Sequence, residues 1–205
     1  MAAGAYEREN TMDARIEELQ EKMRKKLTVS RFEHTMGVMY TAAALAMAHG
    51  ENIDKALLAG LLHDCAKCYS DEKKLALCEK FGVVLSSYEL ENTALIHAKL
   101  GAVLAREKYG VDDDEICHAI LTHTTGIPGM NMLDKIIYIA DYIEPHRNDA
   151  PNLFVLRKLA FTDLDETLRI ILTDSLDYLN TKNKVIDPAT RETYDFYCKK
   201  AEGDL

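Results

Sequence analysis

Residues 56–64, Ala-Leu-Leu-Ala-Gly-Leu-Leu-His-Asp, decide the fold. Seven apolar or small residues run without a charge, the mark of a helix buried on every side rather than on one face. The run then ends in His63 and Asp64. An imidazole and a carboxylate in such surroundings are unfavourable unless paired or bound to a cation. The same combination recurs three times. Residues 94–105, ALIHAKLGAVLA, enclose His97; 119–126, AILTHTTG, enclose His123; and 136–143, IIYIADYI, enclose Asp141.

Outward from that stretch the chain reads as helices from end to end. Apolar residues fall at i, i+3 and i+4, and no segment alternates with a period of two. The expected helices cover 12–27, with Ile16, Leu19, Met23 and Leu27 on one face, and then 30–49, opened by a Ser30/Glu33 capping box and closed by Gly50. Next come 53–64, 71–81 between Ser70 and Gly82, 92–109 before Gly110, and a helix from the Asp112–Asp114 acids to near Gly126. Those at 131–144, 152–161 and 163–180 follow, and Asp187-Pro188 opens a last one over 188–201. The first ten residues are expected to fray. The fold class is therefore all-α, a single-domain helical bundle, with ample chain for a core.

Lys and Arg number 25 against 34 Asp and Glu, a net charge of −9. That balance excludes a general binder of long nucleic acids or anionic membranes, which needs a broad basic face. It leaves room for a small basic pocket. No apolar run is long enough to span a bilayer, and the N-terminus lacks a signal core, so a cytoplasmic protein is expected. Five cysteines are read as reduced thiols.

A lone histidine on an apolar helix is more often a hydrogen-bonded core residue than a ligand. Asp141 alone could pair with Lys135 or an arginine. Taken together, His34, His63, Asp64, His97, His123 and Asp141 on five helices point to a metal centre in the bundle core. Imidazole and carboxylate suit iron, manganese, zinc or cobalt. Asp64, with two oxygens, can bridge two ions while His63 binds one. Lys67, three residues after Asp64, adds a cation suited to a phosphate, and Arg31 and Arg147 can help. His49, His118 and His146 are read as structural or surface, with His118 facing solvent beside Glu115 and Thr122. Cys65 and Cys68 form a CxxC, but the βαβ pattern of a redox motif is missing.

The order His34, His63-Asp64, Asp141 resembles the H…HD…D skeleton of the HD-domain phosphohydrolases. LLHDCAK at 61–67, IHAKLGA at 96–102, HTTG at 123–126, KIIYIADYIEPHR at 135–147 and KVIDPATRETYDFY at 184–197 are similar to the YqeK-type bacterial branch. The likeness divides the chain into an extension with an amphipathic helix at 1–26, an HD domain at 27–198 and a tail at 199–205. It implies symmetrical hydrolysis of diadenosine tetraphosphate to two ADP, with one or two divalent or mixed-valence transition-metal ions, iron foremost. It implies that His34, His63, Asp64 and Asp141 hold the first metal, and that His97 and His123, with Asp64 bridging, hold a second or meet phosphate. Asp64, Lys67, His97 and His123 would be catalytic. Arg31, Lys67, Thr124, Arg147 and the segment Lys184, Val185, Ile186 and Asp187 would join them against the nucleotide. Asp187 stands where relatives often carry histidine, which changes the contact expected there while leaving its capping role intact. Water activated by the metal would attack phosphorus; no general acid is assigned. A homodimer is compatible with the sequence. The competing readings are an HD phosphohydrolase for another nucleotide (a monophosphate, deoxynucleoside triphosphate or cyclic dinucleotide) and a non-catalytic nucleotide-sensing bundle. A plain scaffold leaves the polar residues on five apolar helices without a reason.

Overall fold

A computed structural model describes residues 2–203, with side chains described from 12 onward. Every regular element among them is helical: α1 Ala2–Lys26, α2 Val29–His49, α3 Ile53–Leu62, α4 Asp71–Phe81, α5 Ser87–Glu91, α6 Ile96–Tyr109, α7 Asp114–Thr122, α8 Met132–Ile143, α9 Leu153–Leu159, α10 Leu164–Thr181 and α11 Pro188–Glu202. The all-α reading holds. No described helix is long and apolar enough to cross a membrane.

The apolar α3 lies at the centre, packed on α2, α7 and α8, with α1 also against it. Leu45 of α2, Leu61 and Leu62 of α3, Ile120 of α7 and Ile136 of α8 are fully buried. Each such side chain contributes on the order of 1.5–3 kcal/mol through burial. Ile16, Leu19 and Met23 bring α1 into the same core. Around this centre α6 covers α7, α10 covers α8, and α11 lies on α10. The α2–α3 approach is close enough that a Cβ on Gly60 would sit 2.8 Å from the Cα of Met39. Gly60 is therefore what lets His34 and His63 face one another.

Most helix ends match their signals. Gly50, Gly82 and Gly110 stop α2, α4 and α6 in the left-handed conformation, at φ 71°, 66° and 65°. Other boundaries differ. The N-cap of α2 is Thr28, whose side chain accepts from the Arg31 amide, so the Ser30/Glu33 box is not used. Capping boxes form elsewhere: Asn131 with Asp134 opens α8, and Ser86 with Glu89 opens the short α5 that the periodicity did not reveal. α1 begins at Ala2, earlier than the expected start at 12. α3 ends at Leu62, and residues 63–69 continue as three-residue turns, from Leu62 to Cys65, Asp64 to Lys67 and Ala66 to Tyr69.

Asp165 of α10 pairs with Lys135 of α8 and Lys200 of α11, each at 2.6 Å. Burial would raise its carboxyl, but the two lysines hold it below its ordinary value. Its contribution is thus complete above the unfolded-state carboxylate pKa and lost as pH falls through the folded value. The pair is partly exposed, so the stability gap between wild type and Asp165→Asn should be ~1 kcal/mol or less near neutrality. That gap should close in urea titrations below the ordinary carboxylate range. Gly60→Ala should lower stability by about 1–3 kcal/mol by prising α2 from α3; an unchanged denaturation midpoint would contradict the close approach.

Candidate metal centre

Three histidines reach the centre by one local device. His63 and His123 are the C-cap residues of α3 and α7, where helical carbonyls lack intrahelical partners. Each turns Nδ1 onto the carbonyl three residues back, Gly60 at 2.7 Å and Ile120 at 2.7 Å. His97, on the first turn of α6, does the same with Ala94. A carbonyl only accepts, so Nδ1 carries the hydrogen. In the neutral ring Nε2 then has a free lone pair aimed inward. His34 uses a side chain instead: its Nδ1 meets Glu144 Oε1 at 3.0 Å.

Asp64, 1% exposed, stands between the four rings. Its Oδ2 faces Nε2 of His63 at 3.5 Å and of His34 at 3.8 Å. Its Oδ1 faces Nε2 of His97 at 3.4 Å and of His123 at 3.7 Å. Asp141 closes the first side, 3.1 Å from His34 Nε2 and 3.9 Å from His63 Nε2. One carboxylate therefore separates two groups of donors. Donor atoms of His34, His63 and Asp141 lie within 4.8 Å of one another, and so do those of His63, Asp64 and His123.

This donor set fits a metal. His34 Nε2, His63 Nε2 and Asp64 Oδ1 are buried with no hydrogen-bond partner, an unfavourable state for three polar atoms in one place. His97 and His123 bring their Nε2 atoms to 3.1 Å, two lone pairs that need a cation or proton between them. Burial, then the neighbouring His123 and Lys67, pushes His97 down to about 3, so its imidazole is neutral near pH 7. Burial would raise Asp64, but the neighbouring His63, His123 and Lys67 hold it well below the carboxylate range. Burial opposes ionisation of Asp141 too, yet His34, His63 and Arg147 outweigh it and the nearby Asp64. Two anionic carboxylates and a neutral His97 suit a cation; burial would lower His63, but Asp64 and Asp141 raise it, so a cation bound there would take the place of its proton.

Three cations reach in from the rim. Arg31 Nη1 is 2.9 Å from Asp64 Oδ2, Lys67 Nζ is 3.4 Å from Oδ1, and Arg147 Nη2 is 2.9 Å from Asp141 Oδ1. All keep about a third or more of the side chain exposed. The Thr124 hydroxyl lies 3.2 Å from Nε2 of both His97 and His123. Thus His34, His63, Asp64, Lys67, His97, His123, Thr124, Asp141, Arg31 and Arg147 come together. Residues 184–187 do not join them through any hydrogen bond or ion pair. Lys184 lies over the Tyr178 ring, 5.5 Å from its centroid, and Asp187 caps α11 through the Ala189 amide.

Glu144 was not singled out in the sequence. Only 1% exposed, it orients His34 and accepts the His146 amide at 2.7 Å. Gly37 leaves it room: a Cβ there would stand 2.4 Å from Glu144 Oε2. The spacing of three from Asp141 in DYIEP was the available signal. His118 also differs from expectation. Its Nδ1 is 2.9 Å from the fully buried Asp134, so it supports the α7–α8 contact rather than facing only solvent. Cys65 and Cys68 are free thiols, and each Sγ approaches a backbone carbonyl.

Residues 31–146 match the HD domain family. The chain is 40% identical to the symmetrical bis(5'-nucleosyl)-tetraphosphatase of Bacillus subtilis, over 85% of this chain and 92% of that protein. It is 38% identical to the enzyme of the same name from Halalkalibacterium halodurans, over 82% and 89%. A crystal structure from Clostridium acetobutylicum, described as a predicted HD superfamily hydrolase involved in NAD metabolism, superposes with a TM-score of 0.86. That similarity comes with 36% identity and covers 90% of this chain and 97% of the other.

Replacing Glu144 by Gln keeps its size and removes its charge from His34. Divalent-ion uptake, followed by chelator competition, should weaken roughly tenfold or more, as for other partners of metal-binding histidines. Unchanged affinity would show that Glu144 only supports the fold.

Proposed function

The chain belongs to the HD-domain family, in the branch of the symmetrical bis(5'-nucleosyl)-tetraphosphatases, and on that premise we propose that it hydrolyses diadenosine tetraphosphate to two ADP. One observation carries the assignment: the Nε2 atoms of four histidines point inward around a buried carboxylate, those of His34 and His63 without a hydrogen-bond partner, with Arg31, Lys67 and Arg147 at the mouth. We assign residues 27–198 as the catalytic unit, 1–26 as its extension and 199–205 as its tail.

His34, His63, Asp64 and Asp141 would hold a first metal, and His97 and His123, with Asp64 between, a second. We assign iron, although the same imidazole and carboxylate set also accepts manganese, cobalt or zinc. Such an ion supplies Lewis acidity toward water and phosphate oxygens. The protein's own groups do the rest. The carbonyls of Gly60, Ala94 and Ile120 keep hydrogens on Nδ1 of His63, His97 and His123, leaving Nε2 toward the centre. Arg31, Lys67 and Arg147 neutralise phosphate oxygens and orient the polyphosphate for attack on phosphorus. Thr124 offers a hydroxyl to the same oxygens. The segment Lys184, Val185, Ile186 and Asp187 is assigned to one nucleotide. ADP leaves well as an anion, so a strong general acid is not required. We place the protein in the cytoplasm, where its five free thiols stay reduced.

Metal analysis of the purified protein, with chromatography of products from a nucleotide panel, tests this. The expected result is bound transition metal and ADP as sole product from diadenosine tetraphosphate. Asp64→Ala should lose both metal and hydrolysis. Full activity in that variant, or a monophosphate as preferred substrate, would overturn the assignment.

A further inference from the structure

The two flanks of the centre differ. On the His123 side the chain closes up, with Gly126 against Thr193 of α11, where a Cβ would meet the threonine at 2.8 Å. On the Asp141 side Arg147 opens into a separate cleft of about 520 Å³, lined by Arg147, Asn148, Leu153, Phe154, Arg157 and Lys158 among others. That volume lies within the ~300–1,000 Å³ of small-molecule sites.

Its ionic lining residues are all cations, on a chain whose net charge is −9. Phe154 is 75% exposed, and Lys158 Nζ stands 4.1 Å from its ring centroid. Arg157 is committed elsewhere. Its guanidinium donates to the carbonyls of Ile143, Glu144 and Arg147 at 2.7–2.8 Å and so fixes the wall. Arg147 touches Asp141 with Nη2 and the Asp141 carbonyl with Nε, so it belongs to both the centre and the cleft.

We propose that this cleft receives the second nucleoside diphosphate half of the substrate, its base stacked on Phe154 and its phosphates passing Arg147 and Lys158. The assignment rests on the functional reading above. A symmetrical cut leaves a nucleoside diphosphate on each side of the broken bridge, so the site needs a place for each. The cleft starts at the cation beside Asp141, where the outgoing phosphates emerge, and ends on an aromatic face. Stacking on an aromatic ring tolerates any base, so the cleft selects for a nucleoside diphosphate rather than for adenine.

Calorimetric titration of the metal-loaded protein with ADP tests this directly. Two ADP per chain are expected for the wild type, and one for a Phe154→Ala, Lys158→Ala double variant. Both side chains are exposed, so folding is retained. Phe154→Ala alone should raise KM for diadenosine tetraphosphate roughly fivefold or more, the lower end of an aromatic–base stack, with a smaller change in kcat. A single ADP on the wild type, or two on the double variant with wild-type KM, would overturn the cleft assignment. So would a dimer that Phe154→Ala dissociates while ADP binding stays unchanged, since the ring would then serve a second copy of the chain. Failure of the functional reading is separate: wild-type protein would leave diadenosine tetraphosphate intact, and the ADP stoichiometry would still judge the cleft.

Discussion

The structure depends on a carboxylate placed where carboxylates are least at home. Asp64 sits 1% exposed among four imidazoles at the end of the most apolar helix. Burial drives it toward the neutral acid, while His63, His123 and Lys67 hold it ionised. The groups that face its two oxygens come from different elements, and among them Arg31 and Lys67 carry permanent positive charge. Arg31 and His34 come from α2, Lys67 from the turns after α3, and His97 and His123 from α6 and α7. The helix arrangement can be read as the means of bringing those groups to one carboxylate.

That requirement explains the contrast between the whole chain and its centre. A net charge of −9 leaves an acidic exterior, unsuited to long polyanions. At the mouth of the centre and along the adjoining cleft, Arg31, Lys67, Arg147 and Lys158 reverse the local sign. A short, highly charged phosphate chain can be drawn in there, because these cations are gathered at one place on an otherwise acidic chain.

Legibility in the sequence followed the range of the forces. Helix stops at Gly50, Gly82 and Gly110 are local backbone events, and the structure repeats them. The ligand-type residues were visible because His97, His123 and Asp141 interrupt apolar runs. Glu144 was hidden because an acid before Pro145 reads as an ordinary helix end. Its burial comes from α2, distant in sequence, through Gly37 and His34. The Asp134–His118 pair was hidden for the same reason, being a contact between two helices. Ser30 misled because Thr28, an equally good cap, lies two residues earlier, and sequence alone does not rank them. The cleft beside Arg147 was the least legible, since it depends on how α9 lies against the end of α8.

The way the histidines are oriented also sets where natural variation can act. Three of them take their orientation from main-chain carbonyls, which every residue type supplies, so substitution of neighbouring side chains leaves their tautomers as they are. His34 alone is oriented by a side chain, Glu144. Side-chain tuning of histidine orientation at the centre is thereby funnelled to the pair Gly37 and Glu144. Among otherwise similar chains, divergence at those two positions would be the mark of lineages that have changed how His34 is oriented.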